Sequence, residues 1–259
     1  MLDNHFDENA LFDESHCQLC VCGANLDFDF SFAFQPIVDV QSRSVYAYEA
    51  LVRGTKGEGA MTVLEKVNSR NRYRFDQACR VRAVKLASEL GLQEYLSINF
   101  MPMAVYRAES CIRTTLAAAK EFGFDTRKLI FEITEQENLS STDHLKAIIN
   151  AYSEMGFQTA LDDFGAGFSR LNLLCYCQPE LLKLDMELVR DIHKTRSKQA
   201  LVKGICLSMN ELNCTVIAEG VETVEEYEWL ADQGIRYFQG YLFGKPAFER
   251  LETPIFPPA

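Results

Sequence analysis

No apolar run in these 259 residues approaches the ~20 that a membrane-crossing helix requires. Residues 1–16 are acidic (Asp3, Asp7, Glu8, Asp13, Glu14) and lack a basic stretch leading an apolar core, so no secretory signal is expected and the cytoplasm is the expected compartment. Basic charge is scarce as well: 26 Lys and Arg face 37 Asp and Glu, a formal net charge of -11. Gripping a nucleic-acid polymer takes clustered cations. That partner is therefore excluded, whereas a small anion held through metal ions is not. Nine cysteines are an odd number, scattered over a long chain, which favours reduced thiols, most of them buried as small apolar side chains. The densest stretch, His16-Cys17-Gln18-Leu19-Cys20-Val21-Cys22, sets Cys20 and Cys22 too close for a zinc knuckle, and no second pair follows. Residues 1–30 are expected to form a Cys-rich N-terminal extension, packed or frayed, with a zinc or redox role as the lesser alternative. Redox modulation at Cys175 and Cys177 is a weaker expectation still.

What the chain does have, after about residue 30, is alternation. Short apolar runs at 31–38, 44–51, 96–100, 129–133, 159–162, 181–184, 215–218 and 237–238 are separated by stretches of helical period at 76–90, 111–122, 141–155, 196–212 and 224–233. Strands alternating with helices predict a parallel α/β sheet, and eight runs in roughly 230 residues fit a closed TIM-like (β/α)8 barrel better than an open doubly wound sheet. The first two runs are joined only by residues 39–43, too few for a helical crossover, so they are expected to pair antiparallel and modify the barrel.

A barrel of this kind does its chemistry at the C-terminal ends of its strands. The polar residues that interrupt or end the runs are Glu49, Asn99, Glu132, Asp162 with Asp163, Lys183 with Asp185, Glu219 and Gln239. Any single acid there is most simply a helix cap or a solvated loop residue. Together they put six carboxylates and two amides in one mouth, where the acids repel unless cations are present. Hard oxygen donors suit Mg2+ or Mn2+ rather than zinc or copper, and two such ions are the usual machinery for displacement at a phosphodiester. Asp162 and Asp163 are adjacent and should point to opposite faces, so one site can use both only if the strand ends there and the Gly-rich turn re-aims the second. Lys183 can place a water or a phosphate oxygen. Asp163-Phe164-Gly165 is similar to the protein-kinase triplet, but no Gly-x-Gly-x-x-Gly loop and no His-Arg-Asp loop accompany it.

In this set, Glu49-Ala50-Leu51-Val52-Arg53 resembles the signature of EAL domains, bacterial phosphodiesterases that hydrolyse cyclic di-GMP to linear pGpG. The resemblance runs from about Phe34 to Phe248. It takes in Asn99, Phe131-Glu132-Ile133-Thr134-Glu135, Leu161 to Gly167, Lys183-Leu184-Asp185, Ala218 to Thr223 and Gln239-Gly240. It implies a domain over 31–259 with one antiparallel barrel strand and two Mg2+ or Mn2+ ions. One ion would be held by Glu49, Asn99, Glu132 and Asp162, the other by Asp162 and Asp163 with Glu219 nearby. It further implies that Lys183 orients the attacking water, that Arg53 contacts a substrate phosphate, that Gln239 and Asp185 line the substrate pocket, and that Glu135 braces the loop after Asp163. A homodimer near the active-site loops, through 166–174, is implied as well. Many active members carry a Trp and prolines after the signature, where this chain has the shorter Gly54 to Ala60. Residues 71–80 look like the subgroup joined to blue-light-sensing flavin domains, so control is expected from oligomer state, the N-terminal segment or a regulatory protein partner. The alternative to an enzyme is a catalytically weak module of the same fold that binds cyclic di-GMP or a protein as a receptor.

Overall fold

The computed structural model describes residues 26–105, 108–134, 142–166, 171–176 and 178–258. Strand β1 (Ser31–Asp39) turns back on β2 (Ser44–Arg53) as an antiparallel pair with Ser31 opposite Arg53, as the short connection requires. From β2 the sheet continues in parallel through β3 (Tyr95–Phe100), β4 (Leu129–Thr134), β5 (Gln158–Phe164), β6 (Leu181–Leu184), β7 (Thr215–Ala218) and β8 (Tyr237–Gln239). Antiparallel pairing of β8 with β1 closes the ring, and a short β9 (Ala247–Phe248) lies along the outer half of β1. The result is an eight-stranded TIM-like barrel with β1 antiparallel to both its neighbours.

Outside it lie α1 (Met61–Leu64), α2 (Arg72–Glu89), α3 (Ala108–Cys111), α4 (Arg113–Phe122), α5 (Thr142–Glu154), α6 (Leu171–Tyr176), α7 (Met186–Val189), α8 (Arg196–Glu211) and α9 (Val224–Asp232). Three differences from the sequence expectation matter. The helix expected over 111–122 begins earlier, with α3 at Ala108, and passes into α4 through Ile112, whose backbone is itself helical. The expected strand 159–162 runs on to Phe164. And β9, two residues long, carries too little alternation to be seen. Of the expected extension, residues 26–30 are described, and they lie against α2, with Phe30 buried on the Phe75 ring at 5.2 Å between centroids and Asp29 paired with Arg82. The cluster His16, Cys17, Cys20 and Cys22, together with Cys177, Glu135, Gly167 and the middle of the expected dimer segment, lies outside the described residues.

The barrel interior explains why a site exists. Its floor is the apolar cluster Ile37, Ala47, Ile130, Ala160, Leu181 and Ile217, sealed below by Tyr46, Tyr95 and Tyr237. Side chains of a strand alternate faces, so the next inward residue is two along. From each floor residue that step leads to Gln35, Glu49, Glu132, Asp162, Lys183 and Glu219, and from Tyr95 and Tyr237 to Ser97 and Gln239. One layer of hydrocarbon thus carries one complete layer of polar groups. Apolar residues on the opposite strand faces, such as Phe100 and Phe131, pack outward against helices; the Phe131 and Tyr152 rings are 4.9 Å apart.

Candidate active site

Lys183 is the hub of the polar layer. It is 1 % exposed, and its ammonium stands 2.6 Å from Glu219 Oε1, 2.8 Å from Glu132 Oε2, 2.9 Å from Asp162 Oδ1 and 3.4 Å from Glu49 Oε2. Burial alone pushes a lysine down, but Asp162, Glu132, Glu219 and Glu49 outweigh it and hold Lys183 well above its usual range. The carboxylates divide. Burial and the neighbouring acids push Glu132 and Glu219 well up. Glu49 is lowered despite its burial, because Lys183, Gln239 and Asn99 all favour its charge.

Hydrogen bonds fix the orientations. Asn99 Nδ2 donates to Glu49 Oε1 at 2.8 Å and Gln239 Nε2 donates to Glu49 Oε2 at 2.8 Å, so both oxygens of Glu49 are aimed. Ser97 Oγ donates to Glu132 Oε1 at 2.6 Å. Gln239 Nε2 also donates to Gln35 Oε1 at 3.3 Å, and Gln35 Nε2 donates to the Gly244 carbonyl at 3.1 Å. Ser97 and Gln35 are the site neighbours that strand-end reasoning missed; continuing the two-residue alternation down β3 and back along β1 would have found them.

Asp162 and Asp163 come together, by a different device from the one expected. The strand does not stop at Asp162. A bulge interrupts the β5–β6 register between Leu161 and Phe164, and Asp163 inside it takes a left-handed backbone with φ of 55°. That twist turns its carboxylate to the same side as Asp162. Burial, then the charges of Asp162 and Asp185, push Asp163 up to about 6.

The acids fall into two trios whose ligand atoms lie within 4.8 Å of one another, Glu49 with Glu132 and Asp162, and Asp162 with Asp163 and Glu219. Asp162 belongs to both. Its buried Oδ1 accepts no hydrogen bond although Lys183 is close, and Gln239 Oε1 is likewise buried without one. Five carboxylates against one ammonium, with a buried acceptor left over, is a donor set that fits hard divalent cations. The remaining expected residues stand at the edge. Arg53 ends β2 with its guanidinium folded onto the Val52 carbonyl at 2.7 Å, beside a cavity of about 300 Å3 that Asn99 and Met101 also line. Asp185 caps α7 by accepting from Glu187 N at 2.7 Å.

The "EAL domain" family model matches residues 25–246. The blue light- and temperature-regulated antirepressor BluF of Escherichia coli (strain K12) is 32 % identical over 246 residues, 95 % of this chain and 61 % of BluF. The cyclic di-GMP phosphodiesterase PdeR of the same organism is 36 % identical over 175 residues, 66 % of this chain and 26 % of PdeR. The chain thus spans less than two thirds of the length of these curated relatives. Among solved structures, a standalone versatile EAL protein from Vibrio cholerae O395 in its c-di-GMP-bound form has a TM-score of 0.87 at 48 % identity, covering 89 % of this chain and 98 % of that one. Klebsiella pneumoniae BlrP1 in a manganese and cyclic di-GMP complex has a TM-score of 0.80 at 36 % identity, covering 88 % and 58 %. With the barrel and its acid layer in place and most of its length matched, the chain belongs to the EAL domain family.

Proposed function

We propose that this chain hydrolyses cyclic di-GMP to linear pGpG with the help of two divalent cations, Mg2+ or Mn2+. The observation that carries the proposal is Asp162, common to two acid trios that surround one buried lysine. Relatives named as cyclic di-GMP phosphodiesterases, and EAL structures titled with the bound dinucleotide, support the substrate. Ions held there, one by Glu49, Asn99, Glu132 and Asp162 and the other by Asp162, Asp163 and Glu219, would supply charge neutralisation at the phosphate and acidify water. The chain's own groups do the rest. Asn99 and Gln239 keep Glu49 ionised and aimed. When the carboxylates turn to cations, Lys183 has a donor to spare for the attacking water. Arg53 and Asp185, at the rim, face the substrate. Attack at phosphorus breaks one ester bond, leaving a 5′-phosphate and a free 3′-hydroxyl.

Folded protein with cyclic di-GMP should yield pGpG with Mg2+ or Mn2+ and none after chelation. Asp162→Asn should lower turnover by at least ~100-fold, beyond what loss of an outer partner costs, with little change in melting temperature. Absence of product with both metals from folded protein sinks the proposal. A second reading has its own support in the likeness to an antirepressor over 95 % of the chain. On it the domain binds cyclic di-GMP or a regulatory protein without turnover; tight binding with no product would select it.

A further inference from the structure

Among the described residues, one ion pair with both partners buried lies outside the acid layer. Asp76 and Arg80, on successive turns of α2, are 3 % and 0 % exposed and pair at 2.6 Å. Taking such a pair out of water costs several kcal/mol per ion, and well-packed apolar residues often do as well or better for stability. The pair is therefore poorly explained as a stabiliser. What an apolar replacement lacks is an acceptor, and Asp76 uses two. Its Oδ2 meets Arg80 Nη2, and its Oδ1 accepts from the backbone N–H of Met101 at 2.9 Å.

Met101 is where β3 leaves the sheet. The β3–β4 register ends at Phe100 opposite Ile133, and the chain then enters a 3-10 turn at Pro102. Asn99, two residues before Met101, aims Glu49 and would offer its carbonyl to a cation. The 300 Å3 cavity lined by Asp76, Asn99 and Met101 leaves this exit without close packing on one side. A directional bond has to do what contact does elsewhere. Arg80 in turn donates to the Asp76 carbonyl and, across to α3, to the Cys111 carbonyl, each at 3.4 Å. The carboxylate is thus itself held still.

We propose that Asp76 is a positioning residue for the first metal site: it holds the exit of β3 through the Met101 N–H so that Asn99 faces Glu49. The inference rests on the metal-site reading above, and the closing experiment separates the two. Two double variants remove the ion pair alike and differ only in the acceptor, Asp76→Asn/Arg80→Met, whose amide oxygen still accepts from Met101, and Asp76→Leu/Arg80→Met, which has none. Calorimetric titration with Mn2+, without substrate, should show the leucine variant 10–100-fold weaker than wild type, the loss expected for an outer partner of a metal ligand. The asparagine variant should stay within threefold of wild type. Asp76→Glu is the third variant. It keeps the charge opposite Arg80, places its extra methylene in the cavity, and moves the acceptor off Met101; it too should weaken Mn2+ binding.

Equal affinity in all variants overturns the proposal, as does equal loss in both doubles, which would assign the effect to the ion pair. Should the leucine variant fail to fold, Asp76→Glu with wild-type affinity overturns it alone. If wild type takes up no Mn2+, the metal reading has failed instead. The Asn99 side-chain NH2 resonances of the metal-free protein then decide, since they should shift in the leucine and glutamate variants and stay in place in the asparagine one.

Discussion

Burial and two neighbouring carboxylates push Asp163 up to about 6, so its charge is at stake in ordinary buffers. A cation needs the carboxylate, and a raised value means that a proton must leave first. Mn2+ affinity should therefore fall as pH drops from 7 through 6 towards 5. Asp163→Asn should bind more weakly throughout and lose that step. A wild-type affinity flat from pH 5 to 7 would refute it. Glu132 and Glu219, pushed up by burial and like charge, add protons to those released on uptake, which calorimetry in buffers of different ionisation enthalpy would count. Every acid of the layer was legible in the sequence because each follows an apolar run. Asp76 and Arg80 were not. Four apart on a helix, they read as an exposed i,i+4 pair, and only packing shows them buried.

At the scale of elements, the loops after β7 and β8 are knitted together. Val221 N donates to the Gln239 carbonyl and Leu242 N to the Val221 carbonyl, each at 3.1 Å, and a Cβ on Gly240 would fall inside the Val221 backbone. Gly240→Ala should cost about 1–3 kcal/mol, the overpacking range, and loosen the Gln239 that aims Glu49. Gly204, inside α8 with open space around it, is the contrast. There alanine should raise stability by about 0.5–1 kcal/mol through helix propensity. Thermal melts of the two variants should move in opposite directions; a neutral Gly240→Ala would refute the close approach. The strands and long helices were legible through their periods, and the antiparallel first pair through its short connection. The bulge at Asp163 was not, since it depends on a left-handed turn that aspartate adopts more readily than most residues but that its presence alone does not announce.

For the molecule as a whole, closure falls on the β1–β8 seam, three residue pairs long. Arg236, just before β8, clamps Asp39 at the end of β1 with two hydrogen bonds, its Nε lying 2.8 Å from Oδ1. The guanidinium, against burial and with help from Ser42 and Gln41, holds the Asp39 carboxyl well below the usual carboxylate range. A depressed value stabilises the folded state above the unfolded carboxyl's ~3.9, and that stability is lost as pH falls further. Asp39→Asn should therefore melt earlier than wild type at pH 7, with the gap narrowing below about pH 4. A gap independent of pH would rule out the ion pair as its cause. The alternation that builds the polar layer also sets how the fold fails. If any one strand slides by a single residue against its neighbours, its inward and outward faces exchange. A leucine or phenylalanine then enters the mouth and a carboxylate is driven into the greasy wall behind. Deletions within these strands should consequently yield misfolded chains rather than intact but inactive barrels, so inherited length changes are expected to gather in the loops.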